Sequence, residues 1–220
     1  MRITVCLVLL LSACTASPPT SERDAARPER DGGPAEATDA APGPLDASSL
    51  DAALEPPDAG SAVEGCPPAG PFGQRVGDTA EDVVLMDCDG VEHRLHDLCD
   101  RRAVWLFELA AWCPPCRAFA MSEANRVYDR FAASSDFEGW VVISENASFD
   151  PASRMDCEEI RARYDLHAPV LFDPEGRFQA AFGVPANEVH VVLGGGAEIR
   201  HVDQYAADEV EERIASVLTE

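Results

Sequence analysis

Positive charge is scarce in this sequence: 17 Lys and Arg stand against 40 Asp and Glu over 220 residues, a formal net charge of −23. A surface of that sign repels phosphate backbones, which argues against nucleic acid as a partner and favours solubility. The chain has no apolar run long enough to span a bilayer, which takes about 20 residues. It also shows no internal repeat. Apart from Cys113 and Cys116, no two cysteines lie two or three residues apart, so the second ligand pair of a structural zinc site is missing. From Thr15 to about Glu64 large apolar side chains are nearly absent, and such a segment cannot bury enough surface to offset its ordering entropy.

What is present centres on Ala110-Ala111-Trp112-Cys113-Pro114-Pro115-Cys116-Arg117. Two cysteines separated by two residues close a disulfide only where the backbone turns, and the first turn of a helix supplies that turn. Proline suits the place, because its missing N–H is one of the donors a helix start leaves unpaired and its φ already matches the helix. Cys113 then lies at the positive end of a helix dipole, where the thiolate is favoured and such motifs have pKa values of roughly 3.5–7.5. The apolar run Val104 to Leu109 upstream reads as a buried strand. Strand, Cys-x-x-Cys and helix in that order form a redox-active dithiol site.

Eight cysteines suit an oxidising compartment better than a reducing cytosol. Met1-Arg2 followed by the short apolar run Ile3 to Leu11 reads as a signal peptide. Its end, Leu11-Ser12-Ala13-Cys14, resembles the lipobox of bacterial lipoproteins. That resemblance implies cleavage of residues 1–13 and lipidation of Cys14; an ordinary secretory signal is the alternative. Acyl chains on one residue contribute about 0.8 kcal/mol per buried methylene, and two chains suffice to anchor. Residues 14–65, rich in Pro, Ala and Asp, read as an acidic tether, with an end-to-end distance on the order of 40 Å for a flexible coil of that length.

Residues 66–220 read as one domain, an ordinary core for their length. Val83–Cys88, Asp89-Gly90 and Val91–Leu95 predict a hairpin with a type I′ turn. A helix is expected from Pro114 to about Phe131 and a strand over Gly139–Ser144. Cys157 to Tyr164 reads as a helix with Asp156 as its cap, followed by a strand at Val170–Asp173 and a short helix at Arg177–Phe182. A hairpin of Val189–Leu193 with Glu198–Val202 follows, then a last helix that Asp208 caps. Alternating strands and helices imply an α/β sheet covered on both faces.

This pattern resembles the thioredoxin-like envelope redoxins of the TlpA and ResA type, over roughly Val76 to Leu218. The resemblance rests on the hairpin ending in Asp89-Gly90, on Trp112-Cys113-Pro114-Pro115-Cys116, on Pro169-Val170-Leu171-Phe172-Asp173 and on Phe182-Gly183-Val184. It implies a thioredoxin-like fold, a central mixed sheet flanked by helices, with the hairpin as an N-terminal extension. It also implies a thiol-disulfide oxidoreductase in which Cys113 attacks and Cys116 resolves, with Trp112, Pro114 and Pro115 completing the motif and no cofactor or metal required. Neither proline can donate an N–H to the Cys113 sulfur, so a poise toward the reducing end is expected.

The chain departs from the family in three places. The family's cis-proline position falls on Glu188, with Pro185 the nearest proline. The helix after the motif carries Phe119 and Met121 in place of an acid and a proline. The buried acid of thioredoxin falls on Phe107, beside Glu108, which reads equally as the proton acceptor of Cys116 or as a solvated or ion-paired strand carboxylate.

Of the remaining cysteines, Cys66, Cys88, Cys99 and Cys157 allow three connectivities. Chain proximity favours Cys88 with Cys99, leaving Cys66 with Cys157. Five histidines, His93, His96, His167, His190 and His201, raise copper handling, or a non-catalytic binding module, as the alternative function, with His190 foremost; a histidine without a ligand role is the simpler reading. A peroxidase ranks last. The expected setting is the bacterial cell envelope: a monomer held by a lipid anchor, with its domain in the periplasm or outside the cell. Its expected partners are disulfide-containing envelope proteins and a membrane electron donor or acceptor.

Overall fold

The computed structural model describes residues 66–220; the signal, Cys14 and the tether lie outside them. The described strands form one sheet in the order β2-β1-β5-β4-β3-β6-β7. These are β1 (Val84–Asp87), β2 (Glu92–Arg94), β3 (Ala103–Ala110), β4 (Phe137–Glu145), β5 (Val170–Phe172), β6 (Val189–Gly194) and β7 (Glu198–Gln204). The central strands β3, β4 and β5 run parallel, and antiparallel pairs close both edges. Strand β3 is buried along its whole length, and its continuous apolar run reflects a sheet covered on both faces.

Alternation along β3 divides the core. Trp105, Phe107 and Leu109 face α1 (Pro114–Ser122), α2 (Ala124–Phe131), α3 (Arg154–Tyr164) and α5 (Val210–Thr219). Val104 and Leu106 face α4 (Arg177–Phe182) and the 3-10 turn at Leu95–Leu98. On the first face, Glu211 of α5 takes both Arg126 and Arg130 of α2.

Four local expectations change. The Asp89-Gly90 turn is not type I′, since Gly90 has φ 88° while Asp89 is not left-handed. Gly90 N–H returns to Asp87 O at 3.0 Å, and the Asp87 carboxylate accepts the N–H groups of Asp89 and Val91. This wider turn buries Cys88. The helix after the motif is two helices, broken at Glu123 (φ −121°). Helix α3 begins earlier than expected: Ser153 is its cap and Asp156 the reciprocal partner of a capping box. Asp208 does not cap α5, whose N-cap is Glu209 with no side-chain bond.

The disulfide pairing is also corrected. Cys66 joins Cys99 with a Cα–Cα distance of 5.6 Å, and Cys88 joins Cys157 at 5.3 Å. Cys88 and Cys99 are near in sequence, but they leave the hairpin in opposite directions. Cys88 turns inward where its N–H meets Val170 O, beside α3, and Cys99 ends the 3-10 turn at the start of β3.

Candidate active site

Strand β3 ends at Ala110, and the chain turns at once: Cys113 N–H bonds Ala110 O at 3.0 Å, and Cys113 is the N-cap of α1 with an extended backbone. Pro114 and Pro115 fill the first two helical positions, where an N–H would have no helical partner. Cys116 N–H reaches the Cys113 sulfur at 3.4 Å, the donor expected when both prolines lack one. The two cysteines form a disulfide with a Cα–Cα distance of 5.3 Å. Both are buried, while Pro114 and Pro115 are exposed, so the site opens over the prolines.

Trp112 lies beside the dithiol and is fixed from two sides. Its indole N–H donates to Glu145 Oε2 at 2.6 Å, and its ring stacks on exposed Phe149 at 4.8 Å. Phe149 holds a left-handed φ of 67° at the loop after β4. Glu145 also lines a cavity of about 360 Å³ with Ser144, Pro151, Gln179 and Pro185.

Glu108 departs from both of its readings. It is fully buried, so it is not a solvated carboxylate. It also points to the sheet face opposite the dithiol, where Gln179 of α4 donates to its Oε1. Burial pushes its carboxyl up to about 8, with the charges of Asp173 and Glu145 adding to the rise and Ser144 and Gln179 opposing it. A protonated Glu108 is therefore a packing and hydrogen-bonding group of the α4 face.

On the dithiol's own face the structure brings together two residues that the sequence singles out separately, Glu188 at the family's cis-proline position and His190 as the foremost histidine. Glu188 immediately precedes β6, and His190 lies within it opposite Phe107. Both are buried, with His190 Nε2 3.5 Å from Glu188 Oε1. Trp105 N–H donates to His190 Nδ1 at 3.4 Å, which places the ring proton on Nε2. Phe107 and Phe119 pack on the imidazole at 5.0 and 4.6 Å. Among the described residues the cis peptide bonds are Cys66-Pro67 and Gly70-Pro71, so Pro185 is trans and Glu188 keeps the position before β6.

The other histidines lie apart. His93 pairs with Asp87 and His167 with Asp129, both at 2.9 Å, His96 Nε2 meets Ala80 O, and His201 is on β7. Among the described residues no group of three His, Cys, Asp or Glu side chains is placed to hold a metal.

Comparison with known proteins gives a consistent set of likenesses. The Redoxin family profile matches residues 75–211. The thiol-disulfide oxidoreductase ResA of Geobacillus thermodenitrificans is 31% identical over 109 residues, 50% of this chain and 58% of that protein, so the chain spans just over half of that relative's length. ResA of Geobacillus kaustophilus is 25% identical over 64% of this chain and 78% of its own. Among solved structures, the exposed lipoprotein thioredoxin Etrx1 of Streptococcus pneumoniae superposes with a TM-score of 0.52 at 23% identity, over 63% of this chain and 98% of that one. The mixed sheet flanked by helices is thus the thioredoxin-like fold that the motif order implied.

Proposed function

The chain belongs to the redoxin family, and from that premise we propose that it is a thiol-disulfide oxidoreductase working through Cys113 and Cys116. The observation that carries this reading is the buried Cys113–Cys116 pair at the start of α1, with the Cys116 N–H directed at the Cys113 sulfur. In the reduced form the same N–H and the helix dipole stabilise the Cys113 thiolate, which attacks a substrate disulfide. Cys116, deeper in the site, then closes on Cys113 and releases the substrate. Trp112 is the positioning residue of the rim, locked by Glu145 and Phe149.

The likeness to the ResA proteins supports disulfide-containing proteins as substrates. The Leu11-Ser12-Ala13-Cys14 run, with the likeness to a lipoprotein thioredoxin, supports a lipid anchor at Cys14 and an envelope setting. The test is reduction of insulin by the full chain with dithiothreitol as electron source. Wild type accelerates it, Cys113→Ser does not, and Cys116→Ser accumulates a mixed disulfide visible by mass. Equal rates for wild type and Cys113→Ser would remove the enzyme reading.

A further inference from the structure

Closing the dithiol requires Cys116 to lose a proton, yet Cys116 is fully buried and belongs to the apolar cluster that also holds Trp105, Phe107 and Phe119. Among the described residues, the buried titratable side chains on this face other than the thiols are Glu188 and His190. Phe119, three residues beyond Cys116 on the same side of α1, packs against the imidazole at 4.6 Å, so the ring lies under the helical turn that carries Cys116. His190 Nδ1 is occupied by Trp105, and Nε2 has no hydrogen-bond partner within ordinary distance; it faces the Glu188 carboxyl at 3.5 Å. A buried polar atom left in this state calls for an explanation.

We propose that the Glu188–His190 pair is the proton-exchanging group of the dithiol: the Glu188 carboxylate takes the Cys116 proton and returns it to the departing substrate, and His190, its Nε2–H facing that carboxylate at 3.5 Å, is the positioning residue. The inference rests on the exchange reading above. The Cys113 thiolate attacks the substrate disulfide, one S–S bond forms and one breaks, and the first substrate sulfur leaves as a thiolate. Cys116 then gives its proton to the Glu188 carboxylate and attacks the Cys113 sulfur. The Cys113–Cys116 bond forms, the bond to substrate breaks, and the second substrate thiolate takes the proton from the pair. Two electrons pass from the dithiol to the substrate.

The charges facing the pair come from β7 and α5. Asp203 is the register partner of His190 and lies 3.9 Å from Arg213, and His201 sits two residues before it. Strand β3 and helix α1 set Trp105, Phe107 and Phe119 against the imidazole. Among the described residues the pair is thus the buried group on the dithiol's face able to hold a proton without first drawing on solvent.

The test uses the reduced full chain and Ellman's disulfide in stopped flow. One thionitrobenzoate is released when Cys113 attacks and a second when Cys116 closes the ring; any other thiol is subtracted with a Cys113→Ser, Cys116→Ser double variant. Glu188→Gln and His190→Gln are expected to leave the first release within a few-fold of wild type. They slow the second by roughly 10²-fold below pH 8, the low end of general-base effects, with recovery at higher pH. Glu188→Asp, which keeps the carboxyl group, is expected to restore most of the rate, and it serves as the reference if a glutamine variant loses its near-ultraviolet circular dichroism. A second release with unchanged rate and pH profile in all three variants would overturn the proposal alone. Absence of the first release in wild type would sink the exchange reading, and the proposal with it.

Discussion

At the scale of single residues, the double proline and the buried carboxyl give measurable consequences. Pro114 and Pro115 withhold two backbone donors from the Cys113 sulfur, leaving the Cys116 N–H as the donor observed. Pro115→Ala adds an N–H at the helix start, which favours the thiolate and hence the reduced form. Its potential in a glutathione equilibrium is expected to rise by on the order of 30 mV, the equivalent of one such bond at about 1.4 kcal/mol. An unchanged or lower potential would show that the prolines do not set the poise. Glu108 acts on stability instead. Unfolded, it ionises near its ordinary 4.5, whereas folded it keeps its proton to about 8. Between those values the unfolded state binds fewer protons, so stability falls as pH rises, by up to about 1.4 kcal/mol per pH unit. Glu108→Gln is expected to flatten that fall in urea unfolding from pH 5 to 8 while insulin reduction persists; an equally steep fall in the variant would place the loss elsewhere.

At the scale of elements, the disulfides show which features were legible and which were not. The strand before the motif, the helix start at Pro114 and the β6–β7 hairpin are local, read from an apolar run, a proline and a glycine turn, and the structure places them as expected. The break of the long helix at Glu123 was not legible, because no proline or glycine marks it. The cysteine pairing was not legible either, because it depends on where the hairpin and α3 meet in space. Glu188 and His190 were each legible alone, one at the cis-proline position and one as a candidate ligand, but their pairing was not. The pair's partners, Trp105 and Phe119, come from elements distant in sequence. Cys88–Cys157 closes a separation of 69 residues and ties the edge hairpin to α3. Replacing both by serine is expected to cost about 2–4 kcal/mol in urea unfolding while leaving the dithiol reactive. A loss under 1 kcal/mol would mean that Arg154, which reaches Cys88 O, and Arg161, which pairs with Asp89, already hold that edge.

At the scale of the whole molecule, the proposed anchor gives the simplest prediction. Cys14→Ala is expected to shift the protein from the membrane fraction to the soluble one without altering insulin reduction; retention in the membrane fraction would rule out lipidation at that residue. The disulfide at Cys66 adds an orientation to this arrangement. It fastens the first described residue to Cys99, just before β3 begins, whereas the dithiol follows the end of the same strand. Eight residues of extended chain separate the two by roughly 25 Å. The described domain is therefore polar in the geometric sense, with Cys66 and Cys99 at one pole and the dithiol at the other. A pull applied through Cys66 would load the first pole and leave the dithiol pole facing away from the pull.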